Sequence, residues 1–300
     1  MNSSGHKRLV WAFIVAAPVI FVALAALQAR IDEHTRSFAR SKEELVLRSG
    51  AALKKASLGY DALMADIYWT RAVQYFGARS TKRDEQMGLL DPLLDITTTL
   101  DPRLVVAYRF GAIFLSEPAP IGAGRPDLGV KLVKKGIAAN PNEWQLYSDL
   151  AFIYYWHLDD SPNAAATYLA GSKIPNAPEY LGIMAARVSQ SGGEIETSLM
   201  IWRQIYHSTK NARMQQEAEQ QIAGLTAAHD EQILNKLSDD YHRRFGRYPA
   251  SSQDLVDARI LPGIPADPAG LPYVFGSDGK AKLNPSSPVV IPAPKKLLGR

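Results

Sequence analysis

Residues 140–156, NPNEWQLYSDLAFIYYW, decide the fold. Asn140-Pro141-Asn142 is turn chemistry. The run behind it carries Trp144, Tyr147, Phe152, Tyr154, Tyr155 and Trp156. One amphipathic helix buries a single stripe, so this many rings implies packing on more than one side. Tyr147, Ala151 and Tyr154 alternate at spacings of four and three, which places them on one helical face. That face is expected to pack on a second helix, with Ala151 at the closest approach.

Working outward, the same arrangement recurs. TTTLDPRLVVAYRFGAIFL, GIAANPNEWQLYSDLAFIYY and GSKIPNAPEYLGIMAARV share a proline, at Pro102, Pro141 and Pro175, and then a helical run. The intervals are 39 and 34 residues. The longer one contains SEPAPIGAGRPD (116–127), whose prolines and glycines predict an elongated exposed loop between paired helices. Counting from each proline, a wedge position falls on Tyr108, Tyr147 and Leu181, and a small position on Ala112, Ala151 and Ala185. A large apolar position falls on Leu115, Tyr154 and Val188. Second helices are predicted near 127–139, 163–173 and 194–207. An earlier, divergent pair lies in 57–77 and 85–100. Self-similarity at such a period is the signature of a repeat architecture.

On these residues, 57–225 resembles a tetratricopeptide-repeat (TPR) array. The resemblance implies a right-handed α-solenoid of antiparallel helix pairs, each burying its apolar face on its neighbours. It also implies a groove lined by the first helix of each pair, between the packing positions. That selects Arg71, Gln74, Arg109, Gln145, Asp149, Phe152 and Glu179 as a candidate partner-binding groove, suited to an extended peptide or a helix of a protein partner. Phe152 is the ring expected to face it.

Beyond residue 210 the pattern changes. Ile222, Leu225, Ile233, Leu237, Tyr241 and Phe245 recur at helical spacing in a polar stretch that would cap the solenoid. Gly246–Pro249, Leu255-Val256 and Pro265–Tyr273, with a hairpin signal after them at Gly276-Ser277-Asp278-Gly279, resemble the end of type II secretion pseudopilins. The resemblance implies a small helix-plus-hairpin module over 226–284, without implying pilus assembly. Residues 285–300 are expected to be an extended tail lying on a neighbour.

At the other end, residues 9–29 carry no charge. Twenty-one residues make roughly 30 Å of helix, enough to span a bilayer. A transmembrane helix is expected there, after a flank (1–8) containing Lys7 and Arg8, and before a helical linker (30–56). Ala23-Leu24-Ala25 keeps a cleaved signal peptide open as the alternative. The basic flank predicts a single-pass protein of a bacterial inner membrane, with the bulk in the periplasm. The expected fold class is therefore all-α: a transmembrane helix, a TPR-like right-handed α-solenoid, and a small C-terminal helix-plus-β-hairpin module.

Chemistry is sparse in the sequence. There is no cysteine, hence no disulfide, thiolate nucleophile or cysteine zinc site. Thirty-four basic against 30 acidic residues leave no stripe for nucleic acid. His157, Asp159 and Asp160 read as an inter-helix turn with a capping aspartate. GAGRPDLG (122–129) lacks the strand and spacing of a phosphate loop. No catalytic residue, cofactor or metal is expected. The sequence points to a non-enzymatic, membrane-anchored scaffold for protein–protein interactions in a bacterial envelope or membrane complex. The alternative is a permanent accessory subunit of an integral-membrane respiratory or photosynthetic complex, in contact with the bilayer through residues 9–29.

Overall fold

The computed structural model describes residues 49–82 and 87–293. The chain divides into two compact units between Gly59 and Tyr60. In the first, Ser49 caps α1 (Gly50–Ala56) by accepting a bond from the Ala52 amide at 3.3 Å. The second unit begins with four helix pairs. These are α2 (Asp61–Lys82) with α3 (Leu90–Leu100), and α4 (Val105–Ser116) with α5 (Pro126–Ala139). The next are α6 (Trp144–Phe152) with α7 (Ser161–Ser172), and α8 (Tyr180–Ser191) with α9 (Ile195–Ser208). The single long helix α10 (Ala212–Phe245) comes next. Within this unit each of these helices packs on its successor, and α4 also touches α6, as consecutive pairs of a helical solenoid do. The predicted second helices are α5, α7 and α9, within two residues at each end.

The repeat positions explain the packing. Ala112, Ala151 and Ala185 are wholly buried, so the first helix of each pair approaches its neighbours closely where the side chain is smallest. The wedge rings meet glycines of the second helices. A Cβ on Gly136 of α5 would lie 2.8 Å from the Tyr108 ring, and one on Gly171 of α7 would lie 2.7 Å from Tyr147 Cβ. Those glycines supply space for a ring to seat against the helix backbone. Tyr108 also donates its hydroxyl to the Thr98 carbonyl at 3.3 Å, linking α4 to α3.

One expectation changes here. Residues Ile153–His157 form a π-helical turn continuing α6. The wider turn rotates the residues within and beyond it, so Tyr155 becomes the buried ring. Tyr154, expected in the core, is half-buried with the Lys134 ammonium 5.7 Å from its ring centre. The 116–127 segment is largely exposed, as a loop between paired helices, and is also tied back to α4. It folds back so that the Ala123 and Arg125 amides donate to the Phe114 and Leu115 carbonyls, at 2.9 and 2.7 Å. Those carbonyls lie at the end of α4, where the helix itself offers no donor.

The C-terminal part is built on α10, which ends at Gly246 in the left-handed region. A short helix, α11 (Ser252–Asp257), precedes a hairpin of β1 (Val274–Phe275) and β2 (Ala281–Lys282), antiparallel with Val274 opposite Lys282. Side chains of α10 hold this hairpin. Asn235 and Glu231 accept the Ala281 and Leu283 amides at 2.7 and 2.8 Å, and Asp230 accepts the Tyr273 hydroxyl at 2.9 Å. Leu234, Tyr273 and Ala281 are buried together beneath it. The tail then crosses α10 at Gly224, where a Cβ would meet the Val290 carbonyl at 2.3 Å. Gln190 of α8 donates to the Pro292 carbonyl at 3.1 Å, so the tail reaches the solenoid.

The expected fold class needs correction in its membrane element. Among the described residues no helix is long and apolar enough to cross a membrane. The long helices are amphipathic: α2 carries Asp61, Asp66, Arg71 and Arg79, and α10 has charges along its whole length. Residues 9–29 lie outside the described residues. The second unit is a helical solenoid closed by a long helix and a small two-stranded hairpin.

Candidate partner-binding groove

The first helices α2, α4, α6 and α8 lie side by side, and their joints are made by specific contacts. Between α2 and α4, the Phe76 ring stacks on Phe114 with centroids 3.9 Å apart, and Trp69 lies parallel to Phe114 at 6.2 Å. Between α4 and α6, Arg109 Nε donates to Asp149 Oδ2 at 2.7 Å. Between α6 and α8, Trp144 meets Tyr180 edge-on at 6.1 Å, and the Ser148 and Tyr180 hydroxyls are 3.4 Å apart.

Arg109 and Asp149 are two of the residues predicted to line the groove, and the structure joins them to each other. Burial raises the Asp149 carboxyl above its ordinary value, against the lowering effect of the Arg109 bond and charge. The same bond raises the Arg109 guanidinium above its own. The two shifts pull oppositely on the pair: its geometry is well formed, while desolvation offsets much of the attraction. The pair acts as a strut between adjacent repeats.

The other predicted residues are more dispersed. Gln145, Asp149 and Phe152 share one face of α6, at i, i+4 and i+7. Gln145 is half-buried, and its amide oxygen is buried with no hydrogen-bond partner among the described residues. Phe152 is 37% exposed and stacks on Trp156 with centroids 6.2 Å apart. Arg71 lies 5.2 Å from the Tyr68 ring centre on α2, and Gln74 is exposed three residues on. Glu179 is exposed at the start of α8. No hydrogen bond or ion pair among the described residues joins Arg71, Gln74 or Glu179 to the others.

Sequence reasoning missed the apolar part of this face. Shifting the α6 set Gln145, Asp149 and Phe152 back by the 39-residue interval lands on Val106, Phe110 and Ile113 of α4. All three are exposed, Phe110 by 48% and Ile113 by 44%. On α2 the face of Arg71 and Gln74 runs back through Ile67 and Leu63, both exposed as well. Large side chains exposed singly are ordinary, whereas a row continued over neighbouring helices marks an interaction surface. The face is thus apolar on α4 and mixed on its neighbours, where Leu63 and Ile67 run into Arg71 and Gln74 on α2, and Phe152 shares the α6 face with Gln145 and Asp149. The repeat period itself was the signal that would have found it.

Elsewhere the structure follows local chemistry. Asp160 caps α7, accepting from the Asn163 amide at 3.1 Å, and Asp159 sits in the turn beside it. Among the described residues no cluster of three or more histidine or acidic side chains is placed to hold a metal. No protein-family model matches the chain and no curated protein matches it, so the reading of function rests on the groove itself.

Proposed function

We propose that this protein is a non-enzymatic interaction scaffold whose helical repeats, of the tetratricopeptide kind, present the first-helix face to a protein partner. The observation that carries the proposal is the exposed row Val106, Phe110 and Ile113, in the same repeat register as Phe152. An apolar row of this kind bordered by polar groups suits the apolar face of a partner helix, read through residues at i, i+4 and i+7. Phe110 and Ile113 are 48% and 44% exposed, so burying the remainder on binding would contribute roughly half of the full-burial value, about 1 kcal/mol each.

The test is copurification under mild conditions, comparing the wild-type chain with one carrying Phe110→Ser and Ile113→Ser. Both side chains are about half-buried and Phe110 lies 6.5 Å from the Phe114 ring, so some loss of stability, about 1–3 kcal/mol, is expected, and the comparison is made below the variant's own melting temperature. The partner should be lost. A variant that retains its partner at wild-type yield would remove the row from the interface.

A further inference from the structure

The tail ends, at its last described contact, beside an open cleft. Asp267 accepts a bond from the Ser287 hydroxyl, Val290 and Pro292 pass over Gly224 of α10, and Gln190 of α8 holds the Pro292 carbonyl. The turn after Gln190 folds back on it. The Gly193 amide donates to the Gln190 carbonyl at 3.0 Å, and the Glu194 amide to the Ser189 carbonyl at 2.9 Å. Glu194 therefore stands close to the tail's anchor, at the near end of a cleft between the start of α9 and α10. The cleft is mixed in chemistry. Ile195, Glu196 and Thr197 line it from α9, and His229, Gln232, Ile233 and Lys236 from α10. Glu194 precedes α9 without a side-chain bond to the helix amides, and Glu196, 83% exposed, is 3.4 Å from His229. Ile233, one turn beyond His229, is exposed. Pro294-Lys295-Lys296-Leu297-Leu298-Gly299-Arg300 follow Ala293, the last described residue.

We propose that this cleft is the docking site of the chain's own residues 294–300, with Lys295 and Lys296 at Glu194 and Glu196, and Leu297 and Leu298 on Ile195 and Ile233. Three features select that occupant. From Pro292 to Lys295 the chain reaches up to about 10 Å, which covers the short step from Gln190 to Glu194. The charges are complementary: two lysines meet two carboxylates, and Lys236 sits two turns along α10 from the His229–Glu196 contact. The order also matches. Counted from the anchor, the tail offers lysines and then leucines, and the cleft offers carboxylates and then Ile233. A tethered segment needs little affinity of its own, because a short linker holds it at an effective concentration of about millimolar. Docked in this way, the tail is a latch that fastens α10 to the α8–α9 pair. The inference is independent of the partner face on the first helices.

The chain has no cysteine, so introduced pairs report without background. The full chain carrying Ile233→Cys with Leu297→Cys, and separately with Leu298→Cys, is oxidised at low micromolar concentration. The reference is Gln220→Cys with the same tail substitution. Gln220 is exposed and lies about 6 Å from Gly224 along α10, against about 14 Å for Ile233, so an undocked tail meets it at least as readily. At least one Ile233 pair should close an intramolecular disulfide about tenfold faster than its Gln220 reference. Lys295→Glu with Lys296→Glu should slow that closure about fivefold, and adding Glu194→Lys with Glu196→Lys should restore it. Equal rates at Ile233 and Gln220, or a closure rate indifferent to the two lysines, would overturn the proposal. A disulfide formed only between two molecules would overturn it too, by giving the cleft to the tail of a second copy. If the chain with both glutamates reversed does not fold, the lysine reversal alone decides, since those two positions make none of the described contacts.

Discussion

Arg109 shows how a residue chosen for binding can instead hold the frame. Its bond to Asp149 spans residues 40 apart, a separation that periodicity alone does not pair. Replacing Arg109 by alanine leaves a carboxylate already raised by burial without its donor. A carboxyl raised in the folded state binds its proton more tightly there than in the unfolded chain. Its stability contribution is therefore present at low pH and is lost as pH rises from about 3.8 through the higher folded value. Arg109→Ala should cost about 1–3 kcal/mol near neutral pH and distinctly less near pH 4. Urea unfolding at the two pH values checks this, and Asp149→Asn in the same background should remove the difference. An equal loss at both would mean that the strut is worth only its packing.

At the scale of elements, the proline period made the pairs α4–α9 legible, because each repeat reuses one pattern of wedge, small and large residues. What the period hid was backbone geometry. The π-helical turn at Ile153–His157 leaves no mark in spacing, which is why Tyr154 and Tyr155 exchange roles. The caps that residues 123 and 125 give to α4 are made by amides, which every residue except proline has. The first-helix face was legible as a register, but choosing polar residues within it passed over Val106, Phe110 and Ile113. Gly224 is another element-scale case. In a helix interior a glycine is about 1 kcal/mol worse than alanine, yet here a Cβ would strike the tail at Val290 and Pro292. Gly224→Ala should therefore release the tail to protease and lower the melting temperature of the full chain. In a chain ended at Asn284 the same substitution should be neutral or stabilising. Such non-additivity is the mark of a direct contact, and destabilisation in both chains would show that the glycine serves something other than the tail.

Across the whole molecule, labour is divided. The second helices, the buried alanines and the wedge rings maintain the stack, α10 and the hairpin module close its end, and the first-helix face is the one proposed to meet a partner. That face is mixed along its length, with Leu63, Ile67, Phe110, Ile113 and Phe152 set among Arg71, Gln74, Gln145 and Glu179. The most direct test installs a photo-crosslinking phenylalanine analogue at Phe110, at Phe152, or at Lys131, an exposed position on the second helix α5. After irradiation in the producing cells, Phe110 and Phe152 should yield the same crosslinked product and Lys131 none. Equal products from Lys131, or none from the two groove positions, would contradict the claim that this face is where the protein meets its partner.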